Sequence, residues 1–228
     1  MRIRTFVVIL LIFITLSSCK KNQHTERIKE GYIEYDIEYL DDALDGFMKG
    51  FLPKKMTIKF KNNNTINKIE GFSGIVSFTH IQNYREKKNI TLVKVLNKKY
   101  KYIEKINEKS MFFENIPGMI IEPQDTTKIL CGFKCEEAKV IVPDSEIEPF
   151  FIYYTKDITI NNVNAQTPFK SIEGVLLEFR IKLYDMPMKL TVRKIQEAKI
   201  STEDFEIPEG YISINKKTMI EIIDLLKQ

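Results

Sequence analysis

The sequence predicts a mainly β domain, a large curved antiparallel sheet or open half-barrel of about ten strands, with short covering helices and a helix at the C-terminus. Three observations predict it. Polar and apolar residues alternate with period two in run after run. Short stretches of turn-forming residues separate many of these runs, which makes neighbours in sequence antiparallel neighbours in space. Segments with helical spacing of apolar residues are few.

The elements follow in order. Ile33, Tyr35, Ile37 and Tyr39 alternate with Glu34, Asp36 and Glu38, a strand with one wet and one dry face. Met56, Ile58 and Phe60 alternate with Thr57, Lys59 and Lys61, and Asn62-Asn63-Asn64 then turns the chain into Thr65–Glu70 as a hairpin. Further strands are expected at Gly74–Ile81, Ile90–Leu96, Tyr100–Lys105, Glu137–Val142, Phe150–Lys156, Gly174–Tyr184 and Met188–Ala198. Two segments break the rhythm. In Asp41–Leu52 the residues Leu44, Phe47, Met48, Phe51 and Leu52 recur at helical spacing, with an aspartate to cap the start and Pro53 to end the helix. Asn107–Pro123 carries Met111, Phe112, Phe113, Met119, Ile120 and Ile121 around Pro117-Gly118, too apolar for a solvated loop and too interrupted for one strand. Thr218–Leu226 closes the chain with Met219, Ile222, Ile223 and Leu226 on one helical face.

The N-terminus has a different character. Arg2 and Arg4 precede an apolar run from Phe6 to Leu16, and the small residues Ser17 and Ser18 lead to Cys19. That run is too short to span about 30 Å of hydrocarbon as a helix, which takes roughly 20 residues. A positive start, a short apolar centre and small residues at the end describe a secretory signal peptide. Leu16-Ser17-Ser18-Cys19 further resembles the lipobox of bacterial lipoproteins. The resemblance implies cleavage before Cys19, acylation of that cysteine and an anchor in a bilayer leaflet. The alternative is an ordinary cleaved signal with a chance cysteine. The expected organisation is a signal peptide over 1–18, a polar tether over 19–30 and one domain over 31–228. Cleavage removes two arginines and no acid, so the formal net charge falls from +4 to +2. The residue after the cysteine is Lys20, not the aspartate that would resemble an inner-membrane retention signal, and no acidic cluster resembling a surface-export signal follows. The expected location is the cell envelope, on the periplasmic side of the outer membrane.

Composition narrows the function classes. With 43% apolar residues the chain is too hydrophobic for disorder, and a net charge of +4 without a basic stripe does not describe a nucleic-acid protein.

Four motifs in the second half resemble a family. Leu130-Cys131-Gly132-Phe133-Lys134-Cys135-Glu136-Glu137-Ala138 is similar to its strand-opening L/I-x-G-Y/F-x-C-x-x-A, and Tyr153-Tyr154-Thr155-Lys156-Asp157-Ile158 to the strand end after it. Gly174-Val175-Leu176-Leu177-Glu178-Phe179 and Phe205-Glu206-Ile207-Pro208-Glu209-Gly210-Tyr211 complete the series in the same order. The family is an uncharacterised group of envelope lipoproteins with a LolA/LolB-like (outer-membrane lipoprotein carrier) fold, sister to the GLPGLI family. The resemblance implies a half-barrel whose hollow is covered by helices and filled by side chains or a lipid. It implies no catalytic residue.

No chemistry stands out otherwise. Catalysis by a nucleophile needs a base held beside it; His24 lies in the tether, and His80 has no Cys or Ser at useful spacing. Asp41, Asp42 and Asp45 lack the glycine and distal glutamate of a calcium loop, and no zinc spacing or phosphate loop occurs. No metal and no cofactor is expected. Cys131 and Cys135 form an even pair in an oxidising compartment. Residues four apart on a strand stand roughly 13 Å from each other, too far for a disulfide, unless Gly132 turns the chain between them. Either a disulfide or two free thiols with Cys135 packed inward is open.

The expected function is a non-enzymatic membrane-anchored protein holding an apolar ligand, a lipid or lipoprotein acyl chain, with Leu44, Phe47, Met48, Phe51, Met111, Phe112 and Met119 as a mobile cover. The other reading is that these residues simply plug the hollow as core. The alternative is a structural or interaction module of an envelope protein complex.

Overall fold

Alternation along Glu30–Tyr39 places Ile33, Tyr35 and Ile37 on one face of the first strand, β1, where all three are buried. In the computed structural model, which describes residues 27–40, 52–71, 74–108, 118–143, 145–183 and 186–225, this strand lies at the centre of a curved sheet. The other strands are β2 (Lys55–Lys61), β3 (Asn64–Gly71), β4 (Val76–Asn83), β5 (Lys88–Val95), β6 (Lys98–Lys105), β7 (Ile120–Leu130), β8 (Phe133–Ile141), β9 (Phe150–Thr155), β10 (Val175–Leu183), β11 (Met186–Glu197) and β12 (Ile212–Ser213). One helix, α1 (Lys216–Leu225), follows. The sheet runs β12-β6-β5-β4-β3-β2-β1-β11-β10-β9-β8-β7. Every long strand is antiparallel to its neighbours, only the short β12 pairs in parallel, and the two ends of the order do not meet. The half-barrel is therefore open.

The topology is two meanders joined at β1. Short turns account for the first: Asn62 and Asn63 have φ of 49° and 67°, the left-handed pair that a two-residue hairpin requires. The chain later returns as β11 on the free side of β1, and the second meander spreads outward from there.

The inner face carries the main core, with Ile33, Ile58, Phe60, Phe133, Ile152, Leu177, Leu190 and Met219 among its buried residues. Segment 158–174 packs on it through Ile158, Ile160, Phe169 and Ile172, and α1 through Met219 and Ile223. A smaller cluster lies on the outer face. Ile66, Ile81, Ile90 and Leu92 of β3, β4 and β5 are covered there by Ile200 and Phe205, the latter from a single 3-10 turn over Thr202–Phe205. The chain after β11 thus straps the outer face, with Lys59 reaching Asp204 at 3.0 Å, extends the β6 edge as β12, and delivers α1 to the inner core.

The expected open, curved antiparallel sheet is observed, and two details add to it. The sheet has twelve strands, the ten that alternation marks together with β7 and β12, which carry no alternation that reveals them. β7 is an edge strand with exposed residues along most of its length, including Pro123, which a sheet tolerates at an edge. It is built by its pairing with β8 and not by burial. The folded part also begins before residue 31: Ile28 is 2% exposed and bridges in parallel to Ile158.

Candidate functional site

Cross-strand registers define what the inner face offers. One row runs Ile33, Ile58, Asn67, His80, Thr91, Tyr102 across β1 to β6, and the next runs Gly31, Phe60, Thr65, Gln82, Asn89, Glu104. Both change from apolar to polar at β3. A third row, Tyr35, Met56, Ile69, Phe78, Val93, Tyr100, keeps an apolar or aromatic residue at every position. The inner face therefore has an apolar half under β1, β2, β10 and β11 and a buried polar patch under β3 to β6.

Burying polar side chains is costly unless hydrogen bonds compensate. Thr65 donates to Oε1 of Gln82 at 3.0 Å, and Asn89 donates through Nδ2 to the Ile106 carbonyl at 3.3 Å. Gln166, from the covering segment, donates to the same carbonyl at 2.7 Å. Oδ1 of Asn89 and Oγ1 of Thr91 are buried without a hydrogen-bond partner among the described residues. His80 is fully buried, and burial lowers its imidazole to about 4, so it is neutral at physiological pH. A neutral imidazole opposite Thr91 has the makings of a base and a hydroxyl. Neither residue lines the small cavity or the wide groove described below.

At the border between the two halves lies a cavity of about 40 Å³, lined by Tyr35, Met56, Ile58, Asn67, Gln82 and Met188 among others, and closed by Val163, Asn164 and Thr167. A water needs roughly 10–15 Å³ of such space, so the cavity accommodates a few waters. Asn164 is fixed in place by bonds from Nδ2 to the carbonyls of Ile172 and Gly174, at 2.9 and 2.8 Å. A second, wide groove of about 770 Å³ opens beside Ile28, lined by Arg27, Lys156, Thr159, Lys170, Ser171 and Glu173 with the backbone between them.

The outer face holds a saturated ionic network. Glu178 lies between Lys128 at 2.8 Å and Lys189 at 2.9 Å. Burial raises its carboxyl, but the bonds from the two lysines outweigh that and hold it below the ordinary range. The hydrogen bond to Glu137, aided by burial, pushes Tyr153 up to about 12. No group of three or more His, Cys, Asp or Glu that could hold a metal occurs among the described residues.

Of the residues singled out from sequence, Met119 is half-buried against the main core. Cys19 and the cover residues Leu44, Phe47, Met48, Phe51, Met111 and Phe112 lie outside the described residues. Cys131 and Cys135 are free thiols, so the bridged alternative is not the one found. Gly132 does turn the chain, but with Cys131 it forms a two-residue hairpin (φ 48° and 87°) that sends β8 back along β7. Cys135 is thereby carried away from the turn and pairs with Lys128 in the β7–β8 register. Its packing inward, the other expectation, is observed: it is 0% exposed. Sequence reasoning missed the polar patch. The alternation of polar residues with Ile66, Ile81 and Ile90 in three consecutive strands marks two faces, but not which of them is the inner one.

Comparison with protein-family profiles and with curated proteins finds no match. Among solved structures the chain is similar to PNGF-II in two crystal forms. One gives 9% identity and a TM-score of 0.49 over 86% of this chain, the other 11% and 0.46 over 85%. The chain spans about a third of PNGF-II, 33% and 32% respectively. The expected kinship with LolA/LolB-like carriers and the GLPGLI family is thereby corrected, since the similarity found is to a different protein. The motifs that suggested it have a local physical reason. Gly132, Gly174 and Gly210 all have positive φ, and a Cβ on Gly174 would stand 2.7 Å from the Thr155 carbonyl oxygen. Glycines at such points mark where antiparallel strands turn or approach closely, which unrelated sheets share.

Proposed function

We propose that this is a non-enzymatic protein of the cell envelope, anchored through acylated Cys19 in the periplasm-facing leaflet of the outer membrane, and that it works through its surface as an interaction module of an envelope protein complex. The observation that carries this reading is how completely the inner face is filled. Phe60, Phe133 and Phe169 are essentially inaccessible, and the cavity described between the sheet and segment 158–174 holds only about 40 Å³. Among the described residues, what the domain offers to other molecules is mainly its outside. The β7 edge supports the reading: it has no further strand beside it among the described residues, and Ile120, Ile129 and Phe151 are exposed on or near it. An open edge of this length is a template for another chain. Photo-crosslinking from Ile120 in intact cells tests the reading. One stoichiometric protein adduct is expected, and adducts to lipid alone would oppose it. Cys19→Ser is expected to abolish acyl labelling and release the protein from the membrane fraction.

A second reading, an apolar ligand such as a lipid or lipoprotein acyl chain, draws support from the cavity lining. Met56 and Met188 border it, and methionine repacks readily around a variable guest. Native mass spectrometry of the protein extracted from envelopes distinguishes the two, since a bound acyl chain adds its mass to the intact protein.

A further inference from the structure

We infer that the groove at the root of the tether holds the phosphate of an anionic lipid headgroup and so seats the domain on the leaflet that its acyl chains enter. The inference rests on the Cys19 anchor proposed above.

The root of the tether is fixed. Ile28 donates from its backbone N–H to the Asp157 carbonyl at 3.0 Å and accepts from the N–H of Thr159 at 2.8 Å, with its side chain in the main core. Arg27, the residue before it, is exposed and lines the groove. Lys156 and Lys170 line the same groove, together with Ser171 and Thr159 as hydroxyl donors and Glu173 as an acid. Lys156 is engaged by Glu136 at 2.9 Å. Arg27 and Lys170 have no ion-pair partner among the described residues, so two cations stand ready for an external anion. The turn 84–87 lies at the same end of the sheet, since Tyr84 donates its hydroxyl to the Asn162 carbonyl at 3.5 Å. It brings Arg85 and Lys87 as further exposed cations, while Lys88, the first residue of β5, pairs with Glu86 at 3.1 Å.

Reach decides what anion this end meets. Only residues 20–26 separate Cys19 from Arg27, and a chain of that length spans at most roughly 30 Å when fully extended. An anchored protein thus keeps the groove close to the headgroups. Basic residues just outside a membrane anchor are drawn to anionic lipid. The groove, at about 770 Å³, has the size of a small-molecule site and is polar where a phosphate needs donors.

The test uses the full acylated chain in nanodiscs of phosphatidylethanolamine, with and without phosphatidylglycerol, read by amide hydrogen exchange over 158–174. Anionic discs are expected to slow exchange there several-fold, and Lys170→Glu or raised salt to remove the difference. Thermal unfolding of Lys170→Glu, unchanged from wild type, shows that the fold is kept. Equal exchange in both discs overturns the inference, as does protection by inorganic phosphate in neutral discs with none from phosphatidylglycerol, because the groove then takes free phosphate. Intact mass read beforehand separates the two failures. A chain lacking acyl groups removes the anchor itself, whereas an acylated chain indifferent to lipid charge removes this inference alone.

Discussion

Tyr35 on β1 donates its hydroxyl to the backbone carbonyl of Leu176 on β10 at 2.8 Å, across the intervening strand β11. The pairing of β10 with β9 shifts between Leu176 and Glu178, and the tyrosine hydroxyl meets the chain at that irregularity. Burial raises the Tyr35 phenol far above its ordinary value, so it stays a proton donor at any working pH. Tyr35→Phe keeps the ring and leaves the carbonyl without this donor. A buried group that loses its partner costs about 1–3 kcal/mol. The urea midpoint is expected to fall with an unchanged m-value; an unmoved midpoint would mean the bond contributes nothing net.

Phe179 stands edge-on to Tyr35, with ring centroids 5.9 Å apart at 84°, and to Phe169 at 6.1 Å and 80°. It faces the inner core at 7% exposure, as the period-two reading of its strand requires. Phe179→Asp places an unpaired carboxylate among these rings. The penalty for an isolated buried charge rivals the whole stability of a domain, about 5–15 kcal/mol. Loss of the folded state is expected by circular dichroism, whereas Phe179→Leu is expected to fold.

His80 makes stability depend on pH. Its imidazole titrates near 4 in the folded state because burial disfavours the cation, against about 6.5 in the unfolded chain. Between those values the unfolded chain binds a proton that the folded one does not, so unfolding gains ground as pH falls. The contribution is complete above about 6.5, lost progressively down to about 4 and flat below. The full swing is on the order of 3 kcal/mol. His80→Gln is expected to flatten the stability profile in that window, measured by urea unfolding at a series of pH values. A parallel profile for the variant would show that carboxylates alone set the slope.

How much of this was legible follows from what alternation encodes. β1 was readable because Ile33, Tyr35 and Ile37 meet a core while Asp36 and Glu38 meet water. β7 was not, since an edge strand is held by backbone pairing and leaves no pattern in its side chains. The polar patch was hidden for a subtler reason. In β3 to β5 alternation assigns Ile66, Ile81, Ile90 and Leu92 to the core, yet these face outward beneath Ile200 and Phe205, a cover more than 100 residues away in sequence. Their polar neighbours Asn67, His80 and Thr91 are the ones that point inside. Period two reveals that a face exists and is silent on which layer covers it.

The two described cysteines differ enough to be told apart chemically. Cys131 sits in the β7–β8 turn and is exposed, whereas Cys135 is buried on β8 with its Sγ 3.6 Å from the Phe133 carbonyl oxygen. Burial pushes the Cys135 thiol up to about 11 and raises Cys131 as well. Alkylation requires the thiolate and access to it. At mildly alkaline pH Cys135 has almost no thiolate and no path for a reagent, while Cys131 has access. Brief treatment of the native protein with iodoacetamide is therefore expected to modify Cys131 alone, with Cys135 reacting only after unfolding in denaturant. Peptide mapping by mass spectrometry reads both sites. Equal labelling in the native state would mean that β8 opens readily at its start, and no labelling even in denaturant, with the peptide lacking both thiol hydrogens, would mean that the pair is bridged.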